Sequence, residues 1–212
     1  MKKKPILTFS LFASFIVWTL LLRFVDVKAI GPKETSVGFS TLNGFVHNLT
    51  GTNMRLYTIT DWLGLVPIFI ALDFAILGLS QLIKRRNLLK VDRDILALGG
   101  FYIAVIMAYI LFEFVVINYR PIIIDGYLEA SYPSSTTMLV LCVMPTASMQ
   151  INSRIRNLIV KRFASFVINS FAAFMVVARI LSGVHWITDI IGGALLSSGL
   201  VMTYKYFSEV NK

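Results

Sequence analysis

The chain has 212 residues, 57% of them hydrophobic and only 15% charged, with a mean hydropathy of +0.76 and a formal charge of +9. A soluble domain runs nearer half apolar and a quarter charged, so a soluble globular core is excluded, and with it the nucleic-acid partner that such a charge would otherwise suggest. In a membrane protein the basic excess collects in cytoplasmic loops.

The chain opens with Lys2, Lys3, Lys4 and Pro5, and an apolar run extends from Ile6 to about Phe24. Val27 and Ala29 stand where a signal-peptide cleavage site would carry small residues, but the run is longer than a signal core of roughly 7–15 residues. An uncleaved first span over about 6–24 is therefore expected. Gly31-Pro32, Asn43-Gly44 and Asn48 to Gly51 break any long helix in the next stretch. Within it Phe39, Leu42, Phe45, Val46 and Leu49 recur at helical spacing, which predicts an amphipathic segment over about 37–50 lying on the membrane surface, with His47 as an interfacial side chain.

Further spans are expected at about 62–83, 95–118, 134–150, 163–179 and 186–207, each near the roughly 20 residues that cross a bilayer. Trp62 and Trp186 fall at their ends, as in an aromatic belt. Asp73 lies mid-span, where it either bonds to a neighbouring helix or marks a pathway. Cys142 stands in an apolar run and reads as a small packed hydrophobe; a lone cysteine forms no internal disulfide. The expectation is one integral all-α membrane domain over residues 1–212.

Basic residues set its orientation. With the N-terminus inside, the loops holding Lys84, Arg85, Arg86, Lys90 and Arg93, then Arg154, Arg156, Lys161 and Arg162, are cytoplasmic, as are Lys205 and Lys212. Six spans then put both termini in the cytoplasm of a cell-membrane protein.

The same parity gathers one set of polar residues on the non-cytoplasmic face: Arg120 after the third span, Ser134, Ser135 and Thr136 opening the fourth, Arg179 ending the fifth, and His185 and Asp189 opening the sixth. Two guanidiniums grip phosphate oxygens bidentately, and a helix N-terminus adds free N–H groups. His185 and Asp189 are four apart, on one helical face, so the carboxylate can hold one imidazole nitrogen and leave the other to attack phosphorus. Asp125 and Glu129, in the loop between, read as solvated or as selectors of a cationic headgroup. An anion transporter would need polar residues through the bilayer centre, where Asp73 is nearly alone.

These residues resemble the type 2 phosphatidic-acid phosphatase family, whose motifs run Lys-x6-Arg-Pro, Pro-Ser-Gly-His and Ser-Arg-x5-His-x3-Asp. The third stands here as Ala178-Arg179-x5-His185-x3-Asp189 with Gly183 and Ile191-Gly192-Gly193 around it, the first as Arg120-Pro121 and the second as Pro133-Ser134. From about residue 60 onward the resemblance implies the family's helical core, shared with haloperoxidases, and no metal or cofactor. It implies a phosphohistidine at His185 polarised by Asp189, with Arg120, Arg179 and Ser134 holding phosphate. Substrates would be lipid phosphates or polyprenyl diphosphates.

Two positions depart from the pattern. The first-motif lysine falls on Glu113, and the second-motif Gly-His falls on Ser135-Thr136. Threonine is no general acid near neutral pH, and loss of such a group typically costs about 10²–10⁴-fold in rate. Glu113 lies two helical turns from Arg120, so an ion pair between them is expected. A diphosphate, with its better leaving group, tolerates the missing acid; the alternative is a protein that only binds, moves or senses a phosphate-bearing lipid.

Overall fold

A computed structural model describes residues Lys3–Val210. They form helices α1 (Lys3–Phe24), α2 (Ser40–Thr50), α3 (Met54–Leu63), α4 (Leu65–Arg85), α5 (Arg93–Phe114), α6 (Ser135–Arg154), α7 (Leu158–Leu181) and α8 (Ile187–Val210). Pairing of extended chain among the described residues is confined to isolated bridges.

Five segments are long and apolar enough to cross a membrane: Pro5–Phe24, Met54–Arg85, Arg93–Phe114, Leu158–Leu181 and Ile187–Ser208. They carry the exposed Phe9, Phe24, Phe69, Ile83, Ile103, Phe114, Phe163 and Phe166, a surface that lipid satisfies and water does not. The expected fourth span is α6, whose 20 residues reach about 30 Å. It is less apolar than the others because it packs on α4, α5, α7 and α8 and meets protein instead of lipid. Val140, Cys142, Val143, Met144, Thr146, Ala147 and Gln150 are buried along it. Its polar side chains bond to neighbouring helices: Gln150 Nε2 donates to the Tyr204 hydroxyl at 2.7 Å, and Tyr102 and Thr146 share a hydrogen bond at 3.2 Å. Interhelical polar contacts of this kind suit a helix interior to a membrane bundle.

Element ends depart from the sequence expectation for local reasons. The expected 62–83 span begins at Met54 and breaks at Gly64. Pro67 sits in the first turn of α4, where its missing N–H leaves no bond unmade. The expected 95–118 helix stops at Phe114, because Asn118–Ser131 forms a hairpin. α6 runs on to Arg154, whose guanidinium lies 2.7 Å from Asp94 and 3.8 Å from Asp92, while Arg85 reaches Asp92 at 2.7 Å. These half-exposed pairs orient the basic loops more than they stabilise them.

α1 lies along α8. Phe15 and Leu22 enter a core with Leu98, Phe101, Tyr132, Met138 and Leu196, and Trp18 Nε1 donates to the Thr188 carbonyl at 3.2 Å. The amphipathic segment is α2, whose buried Asn43 donates to Thr188 Oγ1 at 3.0 Å and to the Gly38 carbonyl at 2.8 Å. Asp73 is exposed on α4, not turned toward a neighbouring helix. Trp62 is 71% exposed, as a belt residue would be, but Trp186 is buried, with Nε1 donating to the Tyr119 carbonyl at 2.8 Å. His47 packs on the Trp186 ring at 5.6 Å, and burial lowers its pKa from the usual histidine value.

Candidate active site

The turn joining α7 to α8 delivers the histidine. Arg179 lies in the last turn of α7, and Gly183 follows in the left-handed region at φ +64°. A Cβ there would stand 1.8 Å from the Gly51 carbonyl oxygen, so the turn presses directly on the chain entering α3. The Ser182 carbonyl accepts from Asn53 N at 2.9 Å and completes the docking.

His185 is 5% exposed and Asp189 fully buried. His185 stands in the turn ahead of α8 and not on the helix, so the turn, in place of the expected shared helical face, brings the two together, with Nδ1 3.8 Å from Oδ2, too long for a hydrogen bond. The carboxylate's hydrogen bonds come from elsewhere: Asn118 Nδ2 donates to Oδ1 and Trp186 N to Oδ2, each at 3.0 Å.

Arg120 comes from the hairpin. Asp125 and Gly126 both have positive φ (49° and 83°), as a tight two-residue hairpin turn requires. Ile124 pairs with Tyr127 across this turn, and a two-residue shift in register then pairs Tyr119 with Ala130 and lets Arg120 N donate to the Glu129 carbonyl at 3.0 Å. Asn118 and Arg120, two apart on extended chain, share a face and reach Asp189 and His185 respectively. Arg120 Nη1 lies 3.3 Å from His185 Nε2. A guanidinium only donates, so Nε2 must accept, and the neutral ring carries its proton on Nδ1. Burial, then Arg120 and Arg179, lower the His185 pKa well below the ordinary histidine value.

The carboxylate partner of Arg120 is Glu129, at 2.8 Å from Nε, and not Glu113. Glu113 was expected to pair because a continuous helix would put it two turns below Arg120. The helix ends at Phe114, and the register is lost. Glu129, expected in solvent or against a cationic headgroup, is carried to Arg120 by the hairpin register.

Arg179 is 1% exposed, and among the described residues no carboxylate lies within ion-pair distance of it. Its Nη1 donates to Thr60 Oγ1 at 3.0 Å, and its Cζ stands 4.9 Å from the centre of the Tyr57 ring. Arg120 Cζ lies 6.0 Å from the same ring. One aromatic face thus attracts two buried guanidiniums that repel each other. Arg179 Nε and Ser134 Oγ are buried without a protein hydrogen-bond partner. Each unmade bond costs about 1–3 kcal/mol, so the cluster suits an added acceptor.

A cavity of about 530 Å³ opens beside His185, with Arg120, Glu113, Glu129, Ser131, Ser135, Tyr109 and Tyr119 in its wall. Ser134 is buried as the residue preceding α6, with its N–H bonded to the Asp189 carbonyl at 3.0 Å. The first free N–H groups of the helix therefore belong to Ser135 and its successors. Ser135 also borders a larger apolar groove of about 1070 Å³ between α4, α5 and α6, and Thr136 lines that groove and not the cavity.

A family model now bears on this geometry: that of the PAP2 superfamily matches residues 100–212, more than half of the chain. The protein belongs to the PAP2 superfamily. Its fold is similar to the crystal structure of the first transmembrane PAP2-type phosphatidylglycerolphosphate phosphatase from Bacillus subtilis. The TM-score is 0.68, with 97% of each chain covered at 18% sequence identity. The likeness is one of fold and extends to α1 and α2, upstream of the matched family segment. A search of curated proteins finds no match.

Here His185, Asp189 and Arg120 stand together, and Arg179 joins them through the Tyr57 ring that it shares with Arg120. Tyr57, Thr60, Asn118 and Ser131 complete the site and carry no motif signal. Asn118 has one local cue, its two-residue offset from Arg120, which only an extended reading of that segment uses.

Proposed function

We propose that this PAP2 protein hydrolyses the phosphate ester or anhydride of a membrane lipid through His185. The observation that carries the reading is the Arg120 Nη1–His185 Nε2 contact at 3.3 Å. It turns the lone pair of a neutral imidazole toward the group best suited to hold phosphate.

In the first step Nε2 attacks phosphorus, a P–N bond forms, and the lipid-bearing oxygen leaves. Arg120 and Arg179 stabilise the charge on the phosphoryl oxygens, with Ser135 and the N-terminus of α6 adding donors. Asp189, held by Asn118 and Trp186, sits beside Nδ1 and stabilises the cation that develops on the ring. Ser134 locks α6 to α8 through its backbone. No metal or cofactor takes part in this scheme. Thr136 supplies no proton to a leaving alkoxide, which favours a diphosphate lipid such as a polyprenyl diphosphate, whose leaving phosphate needs none.

The sidedness in this reading has the site on the non-cytoplasmic face of the cell membrane and both termini in the cytoplasm. Support comes from Arg85, Arg154 and their neighbours at the opposite end of the bundle. Glu129 on Arg120 and threonine at position 136 favour a second reading, a family member that binds a phosphate-bearing lipid without turning it over.

Phosphate release by the purified protein in detergent, from polyprenyl diphosphate and from phosphatidic acid, separates the two. Release that vanishes in His185→Ala, faster from the diphosphate, is expected. Lipid binding with no release above the His185→Ala background overturns the enzyme reading.

A further inference from the structure

The cavity holds a carboxylate that the first step does not use. Glu129 Oε2 lies 2.8 Å from Arg120 Nε, and Nη1 of the same guanidinium lies 3.3 Å from His185 Nε2. One planar group thus sets the distance between a carboxylate and the nucleophile. The backbone bond from Arg120 N to the Glu129 carbonyl at 3.0 Å holds the two residues opposite each other across the hairpin. The Nε–Oε2 approach is close for two charges but off the axis of a hydrogen bond. A phosphate oxygen, free to align with the guanidinium, displaces it. The Glu129 side chain is 42% exposed and lines the cavity, so a displaced carboxylate stays within reach of both the cavity and solvent.

A phosphohistidine turns over only when water attacks it, and that water must lose a proton. Thr136 cannot accept one, and it faces the apolar groove. The proton-exchanging side chains that share the cavity with His185 are Tyr109, Tyr119, Tyr132, Glu113 and Glu129. Phenols ordinarily titrate near pH 10 and hold their protons at neutral pH. Glu113 stands on α5, without the link to the Arg120 guanidinium that Glu129 has.

We infer that Glu129 is the general base for the second half of the reaction, a role that rests on the phosphatase reading above. Water attacks the phosphoryl group bound to His185. A P–O bond forms, the P–Nε2 bond breaks, and its electron pair returns to the ring. The water proton passes to the Glu129 carboxylate and then to solvent, leaving inorganic phosphate and a neutral histidine.

The test is rapid-quench kinetics on the full-length protein in detergent with polyprenyl diphosphate radiolabelled at its terminal phosphate. Glu129→Gln is expected to release one equivalent of lipid product per site and to accumulate acid-labile labelled protein. Its steady-state phosphate release falls about 10²–10⁴-fold, and the acidic limb of the kcat profile disappears. Glu129→Asp, which keeps a carboxylate, restores part of the turnover and of that limb, and serves as the probe where the glutamine variant does not fold. Lipid product and phosphate slowed in step, with a raised KM and no labelled protein, makes Glu129 a positioning residue for Arg120 and overturns the inference. If His185→Ala releases phosphate like the wild type, the phosphohistidine itself fails, and Glu129 as its base fails with it. If only the glutamine and aspartate variants behave unexpectedly, the phosphatase reading survives.

Discussion

Replacing Tyr57 by leucine tests whether an aromatic face holds the two arginines in place. Its ring centre lies 4.9 Å from Arg179 Cζ and 6.0 Å from Arg120 Cζ. A cation over a ring contributes about 0.5–1 kcal/mol in exposed settings and about 2 kcal/mol or more when desolvated. Arg179, 1% exposed, takes the upper figure. Arg120, at the limit of range, takes the lower one. Together they give about 2.5 kcal/mol, or roughly 70-fold at 1.36 kcal/mol per decade. Tyr57→Leu is expected to lower kcat/KM for the lipid substrate by that factor and to raise the inhibition constant for inorganic phosphate in parallel. Tyr57→Phe, which keeps the ring, stays near wild type, and thermal unfolding of both variants separates the effect from misfolding. The reasoning is refuted if phenylalanine is as damaging as leucine, which would assign the work to the hydroxyl, or if leucine stays within about threefold of wild type.

Two other outcomes follow from the turn that delivers His185. Gly183→Ala forces a side chain to φ +64° and into the Gly51 carbonyl oxygen, so it should lower the thermal midpoint by an amount corresponding to about 1–3 kcal/mol and weaken phosphate binding; an unchanged midpoint counts against the docked turn. Burial and the two guanidiniums depress the His185 pKa well below its ordinary value near 6.5, so at pH below about 6.5 the unfolded chain binds a proton that the native chain refuses. This contribution to stability is complete above pH 6.5 and declines as pH falls toward the depressed native value, and thermal midpoints of wild type against His185→Asn across that window should show it. An acidic limb of kcat/KM near pH 6.5 that belongs to His185 would contradict the shift.

The membrane spans are legible in the sequence because a bilayer imposes length and hydropathy on any helix that meets it. α6 does not meet that criterion, because it is surrounded by other helices; the sequence places a helix there from the residues at its start. The third-motif cluster is legible because its members share one turn, whose geometry the chain itself encodes. Tyr57 and Thr60 are not, since their partner Arg179 lies more than a hundred residues away and only the packing of α3 on α7 joins them. Glu129 has only a partial local cue. Asp125-Gly126 is a strong two-residue hairpin signal, but that turn by itself sets position 131 opposite Arg120; the Tyr119–Ala130 pairing is shifted by two residues and brings Glu129 there instead. Reading the same stretch as the end of a helix instead put Glu113 in that role. Trp186 likewise reads as a belt residue in sequence, but the hairpin covers it.

The burial of Cys142 in the middle of α6 has a practical consequence. As the only cysteine in the chain, and with no surface exposure, it leaves the unmodified protein silent to thiol reagents that do not cross or dissolve in the membrane. A cysteine placed at Asp125, on the exposed tip of the hairpin, would then be the sole reactive thiol. Labelling of intact cells against inverted vesicles would read directly from it which compartment the Arg120–His185 end of the bundle faces.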